Sequence, residues 1–263
     1  MVGDVTMLQG LVLGAMAAYA VAAVALVLRA RRPGMGAFAV GFVLAAAAVI
    51  ERCVEVGHAP MQNLFEVFLM MAALVFPIAL LCRRLLGVGA EAADAVIGLA
   101  LLTPVAFVFD PQPRMLPPAL QSPLFIPHVA AYLAAYVVLA KAAVQAFLGL
   151  LAPAPVHDVH PGPYERSTYR MVGLGFPLLT LGLVLGSVWG KLAWGDYWNW
   201  DPKELWSLAA WLVFLAYLHV RPLAGPRRPR LGLVLVLVGA AAIVVTLLWV
   251  NLAGLFSGLH SYA

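Results

Sequence analysis

The sequence predicts an all-α integral membrane protein with about eight transmembrane helices. Of its 263 residues, 64% are hydrophobic and only 11% are charged, and the mean hydropathy is +0.96. A helix needs about 20 apolar residues to cross a bilayer, and in lipid it satisfies its own backbone hydrogen bonds. No long hydrophilic segment remains that would fold separately. We therefore expect one integral-membrane domain over residues 1–263.

The predicted spans follow the apolar runs of the chain. They cover residues 7–28, 36–56, 63–82, 92–109, 128–151, 171–189, 204–220 and 231–250. The first run is too long for the core of a signal peptide and has no basic segment before it, so we expect it to be retained as a helix.

The basic residues predict the orientation of these spans. Four alternate connections carry eleven of the sixteen: Arg29, Arg31, Arg32, Arg83, Arg84, Arg166, Arg170, Arg221, Arg227, Arg228 and Arg230. The opposite side has only Arg52, Arg114, Lys191 and Lys203, and Lys141 lies within the fifth span. Cytoplasmic loops of membrane proteins are enriched in Lys and Arg. With eight spans, both termini are then expected on the external face.

Two external connections stand out by composition. Residues 58–66 end in Glu66, just inside the bilayer, where a carboxylate is usually paired or functional. We interpret Glu66 chiefly as the partner of a polar group on a neighbouring helix, with a catalytic role as the alternative. Residues 110–127 are rich in proline, which predicts an irregular loop and a candidate lid.

Several classes of protein are excluded by what the sequence lacks. It has no C-x-x-C-H motif, so it is not itself a c-type cytochrome, and no C-x-x-C motif for thiol–disulfide exchange. Its two cysteines, Cys53 and Cys82, fall near opposite ends of neighbouring spans, too far apart for a disulfide. The net charge of +4 records topology and does not indicate a nucleic-acid partner.

The segment 189–211 contains six of the seven tryptophans together with several charged residues. Such a composition does not suit the middle of a membrane helix, and we predict an external tryptophan-rich loop over about residues 189–204. A flat aromatic surface with charged edges suits a porphyrin. Asp201, followed by Pro202 and Glu204, also fits the start of a helix, with an acidic cap, proline in the first position and a carboxylate in the first turn.

The run WGDYWNWDPKELW, residues 194–206, resembles the tryptophan-rich "WWD" signature of haem-handling cytochrome c biogenesis proteins. Its Asp-Pro-Lys-Glu form is similar to the CcsA (ResC) family of system II, whereas the related CcmC branch has an arginine-containing variant. Residues 60–67 resemble the family's P-x-x-N-L-Y-E-S stretch, with Phe65 and Val67 replacing the tyrosine and the serine. Residues 258–262 resemble its carboxy-terminal G-L-H-S-Y.

Two histidines are candidate ligands of haem iron on the external face. The predicted topology places His128 and His260 beside the tryptophan-rich loop, and two neutral imidazoles on opposite sides of a porphyrin make a six-coordinate site. The resemblance implies the same axial pair. The residues expected to complete the haem surface lie in the tryptophan-rich segment: Trp189, Trp194, Trp198, Trp200 and Asp201.

A third histidine, His219, lies deep in the seventh span, where an ionisable side chain is a functional candidate. The resemblance implies an intramembrane haem site at this position, shared with a CcsB (ResB) subunit. The alternative is a histidine that extends toward the membrane surface beside Arg221. We interpret His157 and His160 as solvated loop residues.

The resemblance implies that the protein carries haem b as its substrate across the cytoplasmic membrane and attaches it to a C-x-x-C-H apocytochrome c. It would act as a multi-pass subunit of holocytochrome c synthase, with a CcsB-type partner, dependent indirectly on a thiol-reducing system. No residue is assigned as a general acid or base. Two alternatives stay open: a haem transporter that supplies a separate ligase, and a b-type cytochrome subunit, which would need paired histidines at two depths.

Overall fold

The computed structural model describes residues 7–152, 162–224 and 229–249. The all-α prediction is confirmed, because these residues form helices and connections with no strand among them. A single 3-10 turn covers Pro118–Leu120, and a π-helical turn, Val245–Trp249, continues the last helix. The helices are α1 (Met7–Val27), α2 (Arg31–Val56), α3 (Leu64–Leu86), α4 (Glu91–Phe107), α5 (Phe125–Leu151), α6 (Pro163–Trp194), α7 (Pro202–Ala224) and α8 (Pro229–Val244).

A helix stands at each predicted span, and seven of them are long and apolar enough to cross a membrane. The exception is α4, whose 17 residues make a helix about 25 Å long, a little short of the roughly 30 Å hydrocarbon core. A polytopic membrane protein is thus confirmed, with seven spans by this criterion in the described part of the chain. The placement of both termini outside depends on an even number of crossings and stays a prediction.

The chain separates into two compact units, Met1–Leu120 and Gln121–Ala263. In the first unit, α1 and α3 each pack against α2 and α4. In the second unit, α5 and α7 each pack against α6 and α8. Each unit thus contains four of the described helices. The single integral-membrane domain stays a prediction.

The centre of the first unit is built around Tyr19 of α1, which is fully buried. A Cβ atom added to Gly41 or to Gly98 would lie 2.4 Å or 2.7 Å from its ring, so two glycines make room for it. Its hydroxyl donates to the Ala72 carbonyl of α3 at 2.9 Å. Small residues and interhelical hydrogen bonds are the usual means of association in lipid, where the hydrophobic effect gives no advantage.

A buried ion pair joins α2 to α3 in the same unit. The Arg52 guanidinium, fully buried, lies 3.0 Å from the Glu66 carboxylate, which is 1% exposed. The second Glu66 oxygen accepts from the Gln62 backbone N–H at 2.8 Å, and the Glu66 N–H donates to Asn63 Oδ1 at 3.0 Å. Glu66 therefore holds a polar group of the neighbouring helix, as we expected, and also lies in the capped first turn of α3.

Arg52 also fastens the proline-rich connection. It donates to the carbonyls of Pro111 at 2.6 Å and Gln112 at 3.2 Å. Further along, Gln62 Nε2 donates to the Met115 carbonyl at 3.2 Å. The segment is irregular, as predicted, but it is bound to the α2–α3 connection at several points, which is typical of a fixed connection and not of a lid.

Cys53 and Cys82, both in the described part of the chain, do not form a disulfide with each other.

We predict that Glu66→Gln destabilises the protein by up to about 3–5 kcal/mol, because it removes the buried counter-charge of Arg52 and leaves only Glu55, a half-exposed carboxylate 2.9 Å from the guanidinium. The matched control is Asp110→Asn, which breaks a pair between half-exposed side chains, Asp110 and Arg114, 3.5 Å apart. Such exposed pairs contribute at most about 1 kcal/mol. The measurement is the free energy of unfolding in mixed detergent micelles. Equal losses for the two variants would contradict a structural role for the buried pair.

Candidate functional site

The connection between α6 and α7 is shorter than predicted. We expected a loop over about residues 189–204, but α6 continues to Trp194 and α7 begins at Pro202, so that only residues 195–201 are irregular. The prediction was wrong in its bounds because a helix does not have to end at the membrane surface. What ends α6 is Gly195, which adopts φ +93° and donates its N–H to the Lys191 carbonyl.

The Asp-Pro-Lys-Glu motif begins α7, as predicted. Asp201 Oδ1 accepts from the Lys203 N–H at 2.9 Å, and Glu204 Oε2 accepts from the Asp201 N–H at 3.2 Å. The same Glu204 oxygen accepts from the Asn199 N–H at 2.8 Å. This reciprocal arrangement is a capping box, and it explains why both acidic residues stand at these positions. Asp201 is buried, and its carboxylate caps the first turn of α7, where the connection ends.

Four of the six tryptophans of the segment form two pairs. Trp189 and Trp194, on the last turns of α6, meet edge to face, with ring centroids 4.7 Å apart and planes at 66°. Trp198 and Trp200 lie in the connection, 6.1 Å apart and nearly perpendicular. Trp200 is 69% exposed and has φ +58°, a left-handed backbone conformation that is rare for an aromatic residue and that implies local strain.

Lys191, in the last turn of α6, contacts two residues of this connection. Its Nζ donates to the Gly195 carbonyl and lies 5.5 Å from the centroid of the Tyr197 ring. A cation over an aromatic face is attracted to the ring by its quadrupole. The connection therefore has an internal support at each end, Lys191 on α6 and the capping box on α7.

His128 lies in the first turn of α5 and packs against the last turns of α6. Its Nδ1 is 2.8 Å from the Gly182 carbonyl oxygen, and its ring stacks on Trp189, with centroids 5.5 Å apart and planes at 25°. Tyr132, one turn along α5, meets it edge to face at 5.1 Å. The structure thus brings His128 and Trp189 together, and Trp194 extends the same aromatic group.

The contact with Gly182 determines which ring nitrogen of His128 carries the proton. A carbonyl oxygen only accepts, so Nδ1 must be the donor, and in the neutral ring the lone pair lies on Nε2. Histidines that bind metals almost always donate their other nitrogen in this way, which fixes the tautomer and the ring orientation. The environment of His128 fits an imidazole that binds iron through Nε2.

Sequence reasoning missed the glycines that allow this contact. Gly182 and Gly186 stand four residues apart on α6, and Gly186 approaches the His128 ring so closely that an added Cβ would lie 2.5 Å from His128 Cε1. Tyr132, which contacts the histidine, also packs against Tyr136 one turn further along α5, with ring centroids 5.4 Å apart. The spacing of the two glycines is visible in the sequence, but the sequence does not show which helix packs against them.

His260 lies outside the described residues, as do His157 and His160, and their expected positions stay predictions.

His219 lies on an exposed face of α7 that also carries Leu212 and Leu223. Its Nδ1 donates to the Leu215 carbonyl at 2.8 Å, in the preceding turn of the helix. The alternative interpretation placed this histidine beside Arg221 near the membrane surface.

Arg221 has other partners. Its Nε is 2.6 Å from Glu165 Oε1, and its guanidinium lies 3.6 Å from the centroid of the Tyr169 ring. These contacts join α7 to the start of α6 on the side that we predict to be cytoplasmic.

Comparisons with known proteins agree with the sequence motifs. The model of the cytochrome C assembly protein family matches residues 37–258. A cytochrome c biogenesis protein CcsA from Synechococcus elongatus is 33% identical over 288 residues, which cover 87% of this chain and 86% of the relative. The CcsA of Chlamydomonas reinhardtii is 34% identical over 219 residues, covering 78% of this chain and 61% of its own.

A shorter, stronger match concerns part of the chain. The CcsA of Trichodesmium erythraeum is 54% identical over 100 residues, which cover 37% of this chain and 27% of the relative. On its family match and on its similarity over most of its length to CcsA proteins, the chain belongs to the cytochrome C assembly protein family, as a member of its CcsA branch.

Proposed function

We propose that this protein carries haem b across the cytoplasmic membrane and presents it for covalent attachment to an apocytochrome c, as the CcsA-type subunit of a holocytochrome c synthase. The observation that carries the proposal is the position of the His128 side chain and the contacts that fix it. Its imidazole donates from Nδ1 to a backbone carbonyl and stacks on Trp189, at the base of a tryptophan-rich connection. Membership of the CcsA branch supports haem as the molecule that this arrangement would bind.

On the external face, His128 and His260 would be the axial ligands of the haem iron. Trp189 and Trp194 would bound the macrocycle on the α6 side, and Trp198 and Trp200 on the side of the connection. The exposure of Trp200 and its left-handed backbone support a contact surface rather than a packed core. Asp201 would act indirectly, by capping α7 and holding the connection in place.

Inside the membrane, His219 would supply one ligand of a second haem site. It lies about 25 Å along the helix from Pro202, near the far side of the bilayer. Its exposure, on a face with Leu212 and Leu223, supports a ligand shared with another subunit, because an ionisable side chain facing lipid alone is costly. The second ligand would come from the CcsB-type partner.

The haem propionates would need cations, but two arginines at the predicted cytoplasmic surface are already paired: Arg221 with Glu165, and Arg83 with Glu91 at 3.2 Å. These pairs support a structural role for both arginines at the predicted cytoplasmic surface.

The reaction adds each thiol of the C-x-x-C-H motif across one vinyl group of haem. Each addition forms one carbon–sulfur bond and moves the thiol hydrogen to the vinyl group, so that no oxidant is consumed. The protein would contribute orientation and effective concentration, which are sufficient for large accelerations. The reactivity itself belongs to the haem and to the thiols. The thiols must arrive reduced, which implies a separate thiol-reducing system.

We predict that co-expression with a CcsB-type subunit and a C-x-x-C-H apocytochrome yields covalent haem. The double variant His128→Ala/His260→Ala should abolish this covalent attachment, and it should also remove the bis-histidine bands from the spectrum of the purified protein. The matched control is His58→Ala, since His58 contacts only backbone carbonyls among its described hydrogen bonds, those of Ala59 and Arg114. Covalent haem that forms only after a further ligase is added would contradict the synthase and favour a transporter. Unchanged bands in the double variant would contradict the ligand assignment.

We predict that His219→Ala removes a second spectral component that is present only when the CcsB-type subunit is co-purified, because the variant removes one axial ligand of the shared site. Leu212→Ala, on the same exposed face of α7, serves as the control and should retain that component. The measurement is the haem content and absorption spectrum of the two-subunit complex. If His219→Ala and Leu212→Ala give the same spectrum, the intramembrane assignment is wrong.

A further inference from the structure

We propose that Gly182 and Gly186 of α6 are positioning residues for the proposed haem ligand His128: the Gly182 carbonyl accepts a hydrogen bond from its imidazole, and Gly186 makes room for its ring. The inference rests on the proposed function, because it concerns the same histidine. It adds a role for the middle of α6, beyond that of the two tryptophans on its last turns.

The first step is the volume that the ring occupies. A Cβ atom added to Gly186 would lie 2.5 Å from His128 Cε1 and 2.8 Å from Nδ1, much closer than real Cβ atoms approach another atom. The imidazole therefore fills the space in which a side chain at position 186 would stand. No residue larger than glycine is compatible with this position of the ring.

The second step is the hydrogen bond that this close approach permits. His128 Nδ1 donates to the Gly182 carbonyl at 2.8 Å. A backbone carbonyl has two lone pairs, so a carbonyl within a helix still accepts a bond from outside. The imidazole reaches it because no side chain stands on the next turn, at Gly186. The two glycines thus act together, and the result is an imidazole with its proton on Nδ1.

The third step is the restraint on the ring from its other sides. Trp189 stacks on one face of the imidazole, and Tyr132 meets it edge to face. Gly182 also accommodates Tyr132, because a Cβ added there would lie 2.9 Å from the tyrosine ring. His128 and Tyr132 of α5 therefore both pack against the part of α6 that contains Gly182 and Gly186.

Glycines four residues apart also serve simply to let two membrane helices approach. The two roles differ in what moves when a methyl group is added. The atoms that meet the new Cβ at position 186 are the tip of the His128 ring, and a side-chain tip moves more easily than a backbone. If the glycine positions the ligand, Gly186→Ala displaces the imidazole and leaves α5 and α6 packed.

The test compares Gly186→Ala with Gly173→Ala in the full chain. Gly173 lies on the same helix, and an added Cβ there meets no atom within 4 Å. Nitrogen-15 NMR of histidine-labelled protein without haem reports the tautomer of His128, assigned by its loss in His128→Ala. Titration with haem b in the presence of the CcsB-type subunit then reports the affinity and the axial-ligand spectrum.

We expect wild type and Gly173→Ala to show the Nδ1–H tautomer and the bis-histidine spectrum. We expect Gly186→Ala to lose that tautomer signal and to bind haem roughly 10- to 100-fold more weakly, the usual cost of removing a partner that orients a metal ligand. A folded Gly186→Ala protein with the wild-type tautomer and spectrum would overturn the inference. A changed tautomer in Gly186→Ala, combined with a wild-type protein that binds no haem, would support the positioning of His128 and reject the proposed function.

If Gly186→Ala does not fold, the double variant Gly186→Ala/His128→Ala decides. Removing the imidazole removes the atoms that meet the new methyl group, so folding should be restored. Failure of the double variant would show that the glycine serves helix packing alone.

Discussion

The hydrogen bond from His128 Nδ1 to the Gly182 carbonyl connects the sequence motifs to the proposed chemistry. It fixes the tautomer of the imidazole, and it forms only because α6 has no side chain on the next turn. The stacking of the same ring on Trp189 joins it to the tryptophan-rich segment. A ligand, its orienting group and part of the aromatic surface are therefore fixed by the packing of α5 against α6, and the proposed haem site depends on that packing.

Charged side chains elsewhere in the structure also have partners, because a charge in an apolar environment is costly unless it is paired. Arg52 and Glu66 neutralise each other between α2 and α3, and Arg221 and Glu165 between α7 and α6. Lys191 and Glu204 serve the backbone of the tryptophan-rich connection. Much of the limited charge of this protein thus holds connections and helix ends in place, and the site that we propose for haem consists mainly of histidines and tryptophans.

The helices and the start of α7 were predictable because their signals are local: apolar length, proline and the acidic cap at Asp201. The partner of Glu66 was predictable only as a class, since nothing local identifies Arg52. The continuation of α6 to Trp194 was not predicted, because the apolar composition indicates only which part of a helix lies in the membrane, and a helix can extend beyond that part. The role of Gly186 was also missed, since it depends on a contact between helices that the sequence does not specify.

The central claim is that His128 binds haem iron through Nε2 while Nδ1 stays on the α6 backbone. The most direct measurement is an electron cryomicroscopy structure of the full chain with haem and its CcsB-type partner, at a resolution that separates the iron from the imidazole. The account predicts iron bonded to Nε2 and a hydrogen bond retained between Nδ1 and the Gly182 carbonyl. A porphyrin bound elsewhere, or a His128 ring that points away from the iron, would contradict it.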